Sequence, residues 1–310
     1  MKFALLTADS ANNVSFKIDP NQGDGTSFMN WIDVWKGVHF SFSKTIEADN
    51  LSYLKDYDVV MMSGHPSYMT EIIRIGKYLK GSNTVTIFYP EGSVQLYDNS
   101  INGYHPEYYE VWRACDIVSI AEEDKRSYYE SFVDPDETIV RFVHVPTTED
   151  MENGVFFTER KNKNENLIVI YGDNNPNHPM IAFALAEKIR REINPRIEVV
   201  GVETRGADVN RLFPNLPVRH FSKASMNHYL HLLSKSIIHF YPTEWIGTAR
   251  EQIACAVAGT PCVGNKDSHT QARLFPSIGY GIYDVDAMFE ACVELLSDKV
   301  IYDNVVNHAR

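Results

Sequence analysis

The 310-residue sequence lacks long apolar runs and closely paired cysteines. No stretch approaches the roughly 18 apolar residues that a membrane-spanning helix needs. The apolar start, MKFALLTADS, lacks the small-residue cleavage pattern of a signal peptide. The four cysteines form no CxxC pair, which favours buried reduced thiols over a disulfide framework or a zinc site. We therefore expect an intracellular, cytoplasmic protein without a transmembrane segment.

Several common catalytic signatures are also missing. The sequence contains no P-loop, GxGxxG, HExxH or GxSxG pattern, which argues against metalloprotease chemistry and against a hydrolase nucleophile elbow. Among the Asp-x-Asp patterns, residues 134–136 read as a turn and residues 284–286 as a helix start. We therefore expect no metal ion and no required cofactor.

The acidic residues are concentrated in the first half of the chain. The formal net charge is −12. Residues 1–155 carry 12 Lys and Arg against 24 Asp and Glu, whereas residues 156–310 carry 17 of each kind. An acidic half repels polyanions, so this distribution argues against extensive nucleic-acid contact there.

Short apolar runs alternate with amphipathic stretches in the first half. Strands are predicted at residues 3–9, 58–64, 84–92, 117–123 and 139–146, and helices at 27–38, 67–80, 106–116 and 124–132. This alternation is typical of a parallel sheet with helices on both faces.

A polar, weakly periodic stretch at residues 147–166 is interpreted as the link between two domains. The alternation then starts again. Strands are predicted at residues 167–173, 196–203, 218–222, 237–243 and 261–264, and helices within 175–193 and at 226–236, 250–259 and 285–298. The predicted fold class is α/β, with two doubly wound Rossmann-like domains, 1–155 and 156–310, facing across a cleft. Ligands of such sheets bind beyond the carboxyl ends of the strands.

The stretch TEWIGTAREQIACAVAGTPCV, residues 243–263, stands at one of these strand ends. A strand leads directly into Glu244, and a helix of small residues begins near Arg250 and Glu251. A helix start offers unpaired N–H groups and a partial positive charge, which suit a phosphate. Arg250 adds a bidentate phosphate partner. Taken alone, Glu251 would equally suit the first turn of any helix.

This stretch resembles the donor-binding segment of the GT-B glycosyltransferases, in which a strand leads to a Glu, a Gly, a small-residue helix and Gly-Thr-Pro-Val. The match is carried by Glu244, Gly247, residues 254–259, Thr260, Pro261 and Val263. The family's second acidic residue falls on Ala254 here, and Glu251, one turn earlier, is expected to replace it.

The resemblance implies a nucleotide-sugar co-substrate, with a UDP- or GDP-sugar preferred, bound mainly by the second domain. The expected donor-binding residues are Gly172, Arg205, Glu244, Gly247, Thr248, Arg250 and Glu251. Gly172 would face the diphosphate with its backbone, the arginines would neutralise it, and the glutamates would accept hydrogen bonds from hydroxyl groups.

The first domain is then expected to receive the acceptor. Asp9, His65 and Glu91 each follow a predicted strand. In an inverting transfer, a carboxylate or imidazole takes the proton of the acceptor hydroxyl. Glu91 is the preferred candidate because it follows a buried strand and precedes a glycine; His65 and Asp9 are the further candidates.

A narrower resemblance concerns the first twenty residues. The opening MKFALLTADSANNVSFKIDP is similar to that of bacteriophage DNA β-glucosyltransferases, with Asn12-Asn13-Val14, Phe16-Lys17 and Pro20 in similar order. This resemblance implies a hydroxymethylated DNA base as the acceptor and again favours Glu91. The acidic first half opposes it, since a duplex-binding surface should offer Lys and Arg to the phosphates.

The predicted function is glycosyl transfer from a nucleotide-sugar to a hydroxyl of a carbohydrate, a small molecule or modified DNA. Two other functions stay open: a non-catalytic bilobal ligand-binding protein, and a sugar-nucleotide epimerase of the same architecture, which would need no separate acceptor.

Overall fold

A computed structural model describes residues 1–7, 32, 34–42, 50–64, 68–90, 107–120, 123–143, 149–172, 179–204, 206–222, 224–243 and 250–310. The chain divides into two compact units, Met1–Thr148 and Glu149–Arg310. The boundary predicted from the sequence lies after residue 155.

The first unit is built on a parallel sheet. Its strands are β1 (Phe3–Thr7), β2 (Val38–Ser41), β3 (Val59–Gly64), β4 (Val85–Pro90), β5 (Ile117–Ile120) and β6 (Ile139–Phe142). Its helices include α1 (Met69–Leu79), α2 (Glu107–Ala114) and α3 (Arg126–Glu130), with 3-10 turns at Ser52–Asp56 and Glu123–Lys125. The strands lie in the order β2-β1-β3-β4-β5-β6, and every pair is parallel.

The core of the first unit explains this arrangement. All five residues of β1 are buried, as are the last five of β3, and such continuous apolar strands are typical of sheets covered on both faces. α1 buries Ile72, Ile75 and Leu79 at helical spacing. Gly76 allows α1 to approach α2 closely, because a Cβ at this position would lie 2.6 Å from the Ala114 carbonyl oxygen.

The second unit repeats the architecture. Its strands are β7 (Asn164–Tyr171), β8 (Glu198–Val202), β9 (Val218–Phe221), β10 (Ser236–Tyr241), β11 (Cys262–Asn265) and β12 (Gly279–Tyr280). Its helices include α4 (Glu149–Glu152), α5 (Pro179–Glu192), α6 (Gly206–Leu212), α7 (Met226–Lys235), α8 (Arg250–Ala258), α9 (His269–Leu274), α10 (Val285–Ser297) and α11 (Lys299–Ala309), with 3-10 turns at Arg160–Asn162 and Pro276–Ile278. The strands lie in the order β12-β11-β10-β7-β8-β9 and are all parallel.

Lys163 is buried at the amino edge of this second sheet, directly before β7. The Nζ of Lys163 donates to Thr260 Oγ1 at 2.8 Å and to the carbonyl oxygens of Ser234 at 3.1 Å, Ala258 at 3.2 Å and Leu233 at 3.4 Å. These carbonyl groups belong to the last turns of α7 and α8, where helices leave acceptors unpaired and favour a cation. Burial lowers the pKa of Lys163 to about 7.

The predicted α/β class with two parallel, doubly wound sheets is confirmed. Some elements were not predicted. β2 is a short edge strand in which only Phe40 is buried, and β12 has two residues, so neither produces a strong apolar pattern. β7 begins at Asn164, before the apolar run, because its first residues pair along the sheet while remaining polar.

No described helix is long and apolar enough to cross a membrane.

Candidate functional site

The strand order of the second sheet indicates where a ligand is expected to bind. Numbered by their order within the second unit, the strands from β9 to β12 follow the order 3-2-1-4-5-6. The chain therefore reverses its progress across the sheet between β7 and β10. In open α/β sheets, ligands bind outside the carboxyl ends of the strands at such a reversal. The candidate site is built from the residues at these strand ends.

Gly172 follows β7 directly at this position. Its φ is +89°, in the region where a glycine avoids the steric cost of a Cβ atom. Its N–H donates to the Val202 carbonyl oxygen at 3.0 Å, which fixes the turn against the end of β8. The turn therefore requires a glycine at this position. Its predicted role toward a diphosphate stays a prediction.

Glu203 follows β8 and also has left-handed backbone geometry, with a φ of +55°. Its N–H donates to the Phe221 carbonyl oxygen at 2.7 Å. Its Oε2 accepts a hydrogen bond of 2.8 Å from the Tyr171 hydroxyl. Non-glycine residues in this conformation cluster at ligand sites, where surrounding structure holds them. We therefore include Glu203 and Tyr171 in the candidate site.

The end of β10 is held by its neighbour β11. Thr243 is fully buried, and its N–H donates to the Tyr241 carbonyl oxygen at 3.0 Å. The Thr243 carbonyl oxygen accepts a hydrogen bond of 2.9 Å from Asn265 Nδ2. Because Asn265 is itself buried at the end of β11, the chain leaves β10 toward α8 from a fixed position.

α8 begins at Arg250 and supplies the first-turn N–H groups of this edge. Glu251 is only 5% exposed, and its predicted role toward a ligand hydroxyl stays a prediction. Gln252 is fully buried, and neither its amide nitrogen nor its amide oxygen has a hydrogen-bond partner in the described structure. Buried amides are nearly always paired, so Gln252 is a further member of the candidate site.

The other predicted donor residues lie outside the described residues. These are Arg205, Glu244, Gly247 and Thr248. The backbone of Arg250 starts α8, but its side chain is also outside the described part. Of the predicted donor set, the structure therefore positions Gly172 and Glu251 fully. Gly172 follows β7 and α8 follows β10, and these two strands are hydrogen-bonded neighbours.

The first sheet has its own reversal between β1 and β3. Near it, Thr7 Oγ1 and His39 Nε2 are hydrogen-bonded at 2.7 Å. Burial lowers the pKa of His39 to about 4, so its imidazole is neutral near pH 7. Its Nδ1 is buried and has no partner among the described residues.

The three predicted acceptor-side residues, Asp9, His65 and Glu91, lie outside the described residues. The strands that precede them in the sequence are described. β1 and β3, which precede Asp9 and His65, pair with each other, and β4, which Glu91 follows directly, pairs with β3.

Neither a protein-family model nor a curated protein matches the sequence, but solved structures match the fold. The fold is that of the GT-B glycosyltransferases, which confirms the fold that the sequence resemblance implied.

Three solved structures illustrate the similarity. An alpha-glucosyltransferase in complex with UDP and a 13-mer DNA containing an HMU base has a TM-score of 0.65 and 13% identity, over 100% of this chain and 93% of its own. The alpha,alpha-trehalose 6-phosphate synthase from Burkholderia multivorans has a TM-score of 0.65 and 10% identity, over 99% of this chain and 94% of its own. A TarM mutant from S. aureus, in complex with fondaparinux, alpha-GlcNAc-glycerol and UDP, has a TM-score of 0.62 and 10% identity. The match covers 86% of this chain and 54% of the TarM chain.

Sequence reasoning missed Tyr171, Glu203 and Gln252 as site residues. Tyr171 lies inside an apolar strand pattern, and Gln252 lies one residue beyond the Arg-Glu pair that drew attention. Of these three residues, only Glu203 could have been predicted from the sequence, since it is an acidic residue at the end of a predicted strand, as Glu91 and Glu244 are.

Proposed function

We propose that this protein transfers a glycosyl group from a nucleotide-sugar, with a UDP-sugar preferred over a GDP-sugar, to an acceptor hydroxyl. The observation that carries the proposal is the GT-B fold, matched over the full chain by an alpha-glucosyltransferase in complex with UDP. The reversal between β7 and β10 supports the same reading, because it creates a ligand position at the carboxyl edge of the second sheet.

The donor diphosphate would bind at the start of α8. The first-turn N–H groups offer hydrogen bonds and a partial positive charge, and the Arg250 guanidinium would pair with phosphate oxygens. Gly172 would bring backbone close to the diphosphate, with Arg205 as the second cation. Glu244 and Glu251 would accept hydrogen bonds from ribose or sugar hydroxyls, with Gly247 and Thr248 shaping the helix start.

The proposed chemistry is a substitution at the anomeric carbon of the sugar. The acceptor oxygen forms a bond to that carbon while the bond to the donor phosphate oxygen breaks, and the leaving diphosphate keeps the electron pair. Positive groups at the α8 start would stabilise this growing negative charge. In an inverting transfer the hydroxyl proton would go to Glu91, with His65 and Asp9 as the further candidates.

A second proposal concerns the acceptor. The similar alpha-glucosyltransferase is in complex with DNA containing an HMU base, which favours DNA with a hydroxymethylated base as one acceptor class. The concentration of 24 acidic against 12 basic residues in positions 1–155 opposes it. Carbohydrates and small molecules are the competing acceptor classes.

Donor binding is tested by thermal unfolding with UDP-, GDP-, TDP- and ADP-sugars. A bound donor at 100 times its Kd should stabilise the protein by about 2.7 kcal/mol. We expect a UDP-sugar to raise Tm, and Arg250→Ala to abolish the shift. The matched control is Arg196→Ala, because Arg196 is exposed and precedes β8 at the opposite edge of the same sheet. Absence of a shift with every donor would refute the proposed donor site.

Turnover is tested with UDP-glucose labelled in the sugar. The acceptor pools are duplex DNA with hydroxymethylated pyrimidines, the same duplex unmodified, and a set of carbohydrates. Label on the modified duplex alone supports the DNA proposal, and label on carbohydrate alone refutes it. Donor epimerised without acceptor identifies an epimerase, and binding without turnover in any pool identifies a ligand-binding protein. Glu91→Gln should retain donor binding and lower transfer by at least about 100-fold.

A further inference from the structure

Three side chains that can bind a metal ion meet in the core of the second unit. His239 comes from β10, Cys255 from α8 and Cys262 from β11. Their ligand atoms all lie within 4.8 Å of one another, and each residue is fully buried. Within the described part of the chain, no other three His, Cys, Asp or Glu residues come together in this way. This cluster cannot be recognised from the sequence, because six residues separate the two cysteines and the histidine lies farther away along the chain.

The histidine is oriented as a ligand would be. Its Nδ1 lies 2.9 Å from the Val169 carbonyl oxygen. A carbonyl oxygen only accepts, so Nδ1 carries the proton and Nε2 of the neutral ring presents its lone pair. A metal-binding histidine commonly donates its other ring N–H to a backbone carbonyl in this way. The Tyr229 hydroxyl donates a hydrogen bond of 3.4 Å to Nε2, and a bound metal ion would take its place at this lone pair.

The charges around the three residues also fit a divalent cation. Two cysteine thiolates and one neutral imidazole balance a charge of two, so a buried centre would be neutral. Isolated buried charges are costly, and a neutral centre avoids that cost. Without a metal ion, burial, Cys262 and Glu251 raise the pKa of the Cys255 thiol well above its usual range, and the positive charge of Lys163 opposes this only in part. Binding would release the two thiol protons to solvent.

We propose that His239, Cys255 and Cys262 bind one Zn²⁺ ion as a structural site that links β10, α8 and β11. Zinc bonds of about 2.3 Å to sulfur and 2.0 Å to nitrogen place tetrahedral ligand atoms about 3.3–3.8 Å apart. The ligand atoms, which lie within 4.8 Å of one another, therefore need to approach by about 1 Å when the metal binds. Thiolate and imidazole ligands select zinc over magnesium or calcium.

The test uses the full chain and measures bound metal directly. The protein is purified without chelator, and zinc is quantified after denaturation. Because the three residues are fully buried, a second sample is unfolded, reduced and refolded with Zn²⁺ or with Co²⁺. We expect one equivalent of zinc and, with cobalt, the absorption of a thiolate-to-cobalt charge transfer and tetrahedral d–d bands. Cys262→Ala should lose the metal and these bands. Cys292→Ala should keep both, since Cys292 is a buried cysteine of α10 outside the cluster.

The competing outcomes each overturn the proposal. Less than one tenth of an equivalent of metal in both purified and refolded protein would mean a cluster of ordinary buried thiols. Equal metal content in Cys262→Ala and Cys292→Ala would mean binding elsewhere. Two titratable thiols instead of four, after denaturation without reductant, would mean a disulfide between Cys255 and Cys262. If Cys262→Ala fails to fold, His239→Gln provides the second variant, with the same loss of metal expected.

Discussion

The Tyr171 hydroxyl donates a hydrogen bond of 2.8 Å to Oε2 of Glu203, and this bond joins the carboxyl end of β7 to that of β8. Glu203 holds a left-handed backbone, with a φ of +55°, while its N–H bonds to the end of β9 through the Phe221 carbonyl oxygen. Three adjacent strand ends are thus fixed through one acidic residue. A carboxylate held in this way is positioned before any ligand arrives, which limits the entropy that binding costs.

The strain at Glu203 can be separated from its carboxylate by two substitutions. Glu203→Gly and Glu203→Ala both remove the carboxylate, but only glycine relieves the left-handed backbone. We expect Glu203→Gly to be more stable than Glu203→Ala by about 1 kcal/mol, measured by urea unfolding. Both variants should bind a UDP-sugar equally weakly. Equal stability of the two variants would show that the backbone carries no strain.

A similar comparison tests Gly172. Gly172→Ala forces a Cβ onto a backbone with a φ of +89° and should cost about 1 kcal/mol. Gly81→Ala is the matched control, since Gly81 has a φ of +79° and open space around its Cβ direction. We expect similar losses of stability in both variants, measured by thermal unfolding. UDP-sugar affinity should fall in Gly172→Ala alone, and an equal fall in both would contradict a role at the donor.

Two buried glutamines should respond in opposite ways to the same change. The amide nitrogen of Gln271 donates to the carbonyl oxygens of Cys262 at 2.8 Å, Phe275 at 3.2 Å and Ile278 at 3.3 Å. Gln271→Met should therefore lower the free energy of unfolding by about 2 kcal/mol. Gln252 has no such partner in the described structure, so Gln252→Met should raise it by about 1 kcal/mol.

The same Gln252→Met variant should bind a UDP-sugar more weakly, because an unpaired buried amide beside the proposed donor position is expected to serve the ligand. Denaturant unfolding and calorimetric binding on one preparation measure both quantities. Lower stability of Gln252→Met, together with unchanged affinity, would indicate a structural role for the amide.

His39 should make stability depend on pH. Burial lowers its pKa from 6.5 to about 4, so the unfolded chain binds a proton at higher pH than the folded chain. Stability should therefore fall as pH drops from 6.5 toward 4, by up to roughly 3 kcal/mol from this residue. His39→Gln should remove that part of the dependence. Unfolding curves between pH 4 and 7 measure it, and a constant difference between wild type and variant would refute the assignment.

The strength of the apolar patterns decided how much could be read from the sequence. β1, β3 and β10 are continuous buried runs, and they revealed the α/β class and the restart of the pattern. Gly172 was predicted because the loop after β7 resembles the glycine-bearing loop of the GT-B family. Other site features were not readable: the Tyr171–Glu203 bond and the meeting of Cys255 with Cys262 depend on sheet order and packing, which single-sequence periodicity does not contain.

Lys163 has a consequence for how this chain can be divided. Its Nζ donates hydrogen bonds to the helix ends at Leu233, Ser234 and Ala258, although the lysine stands before the apolar part of β7. A fragment started at Leu167, where the apolar run begins, would leave these three carbonyl groups without their lysine donor. The side chain that bonds to these helix ends therefore lies in the segment that precedes the first strand of the second unit. Any attempt to produce this unit separately should begin no later than Glu149, where the second unit starts.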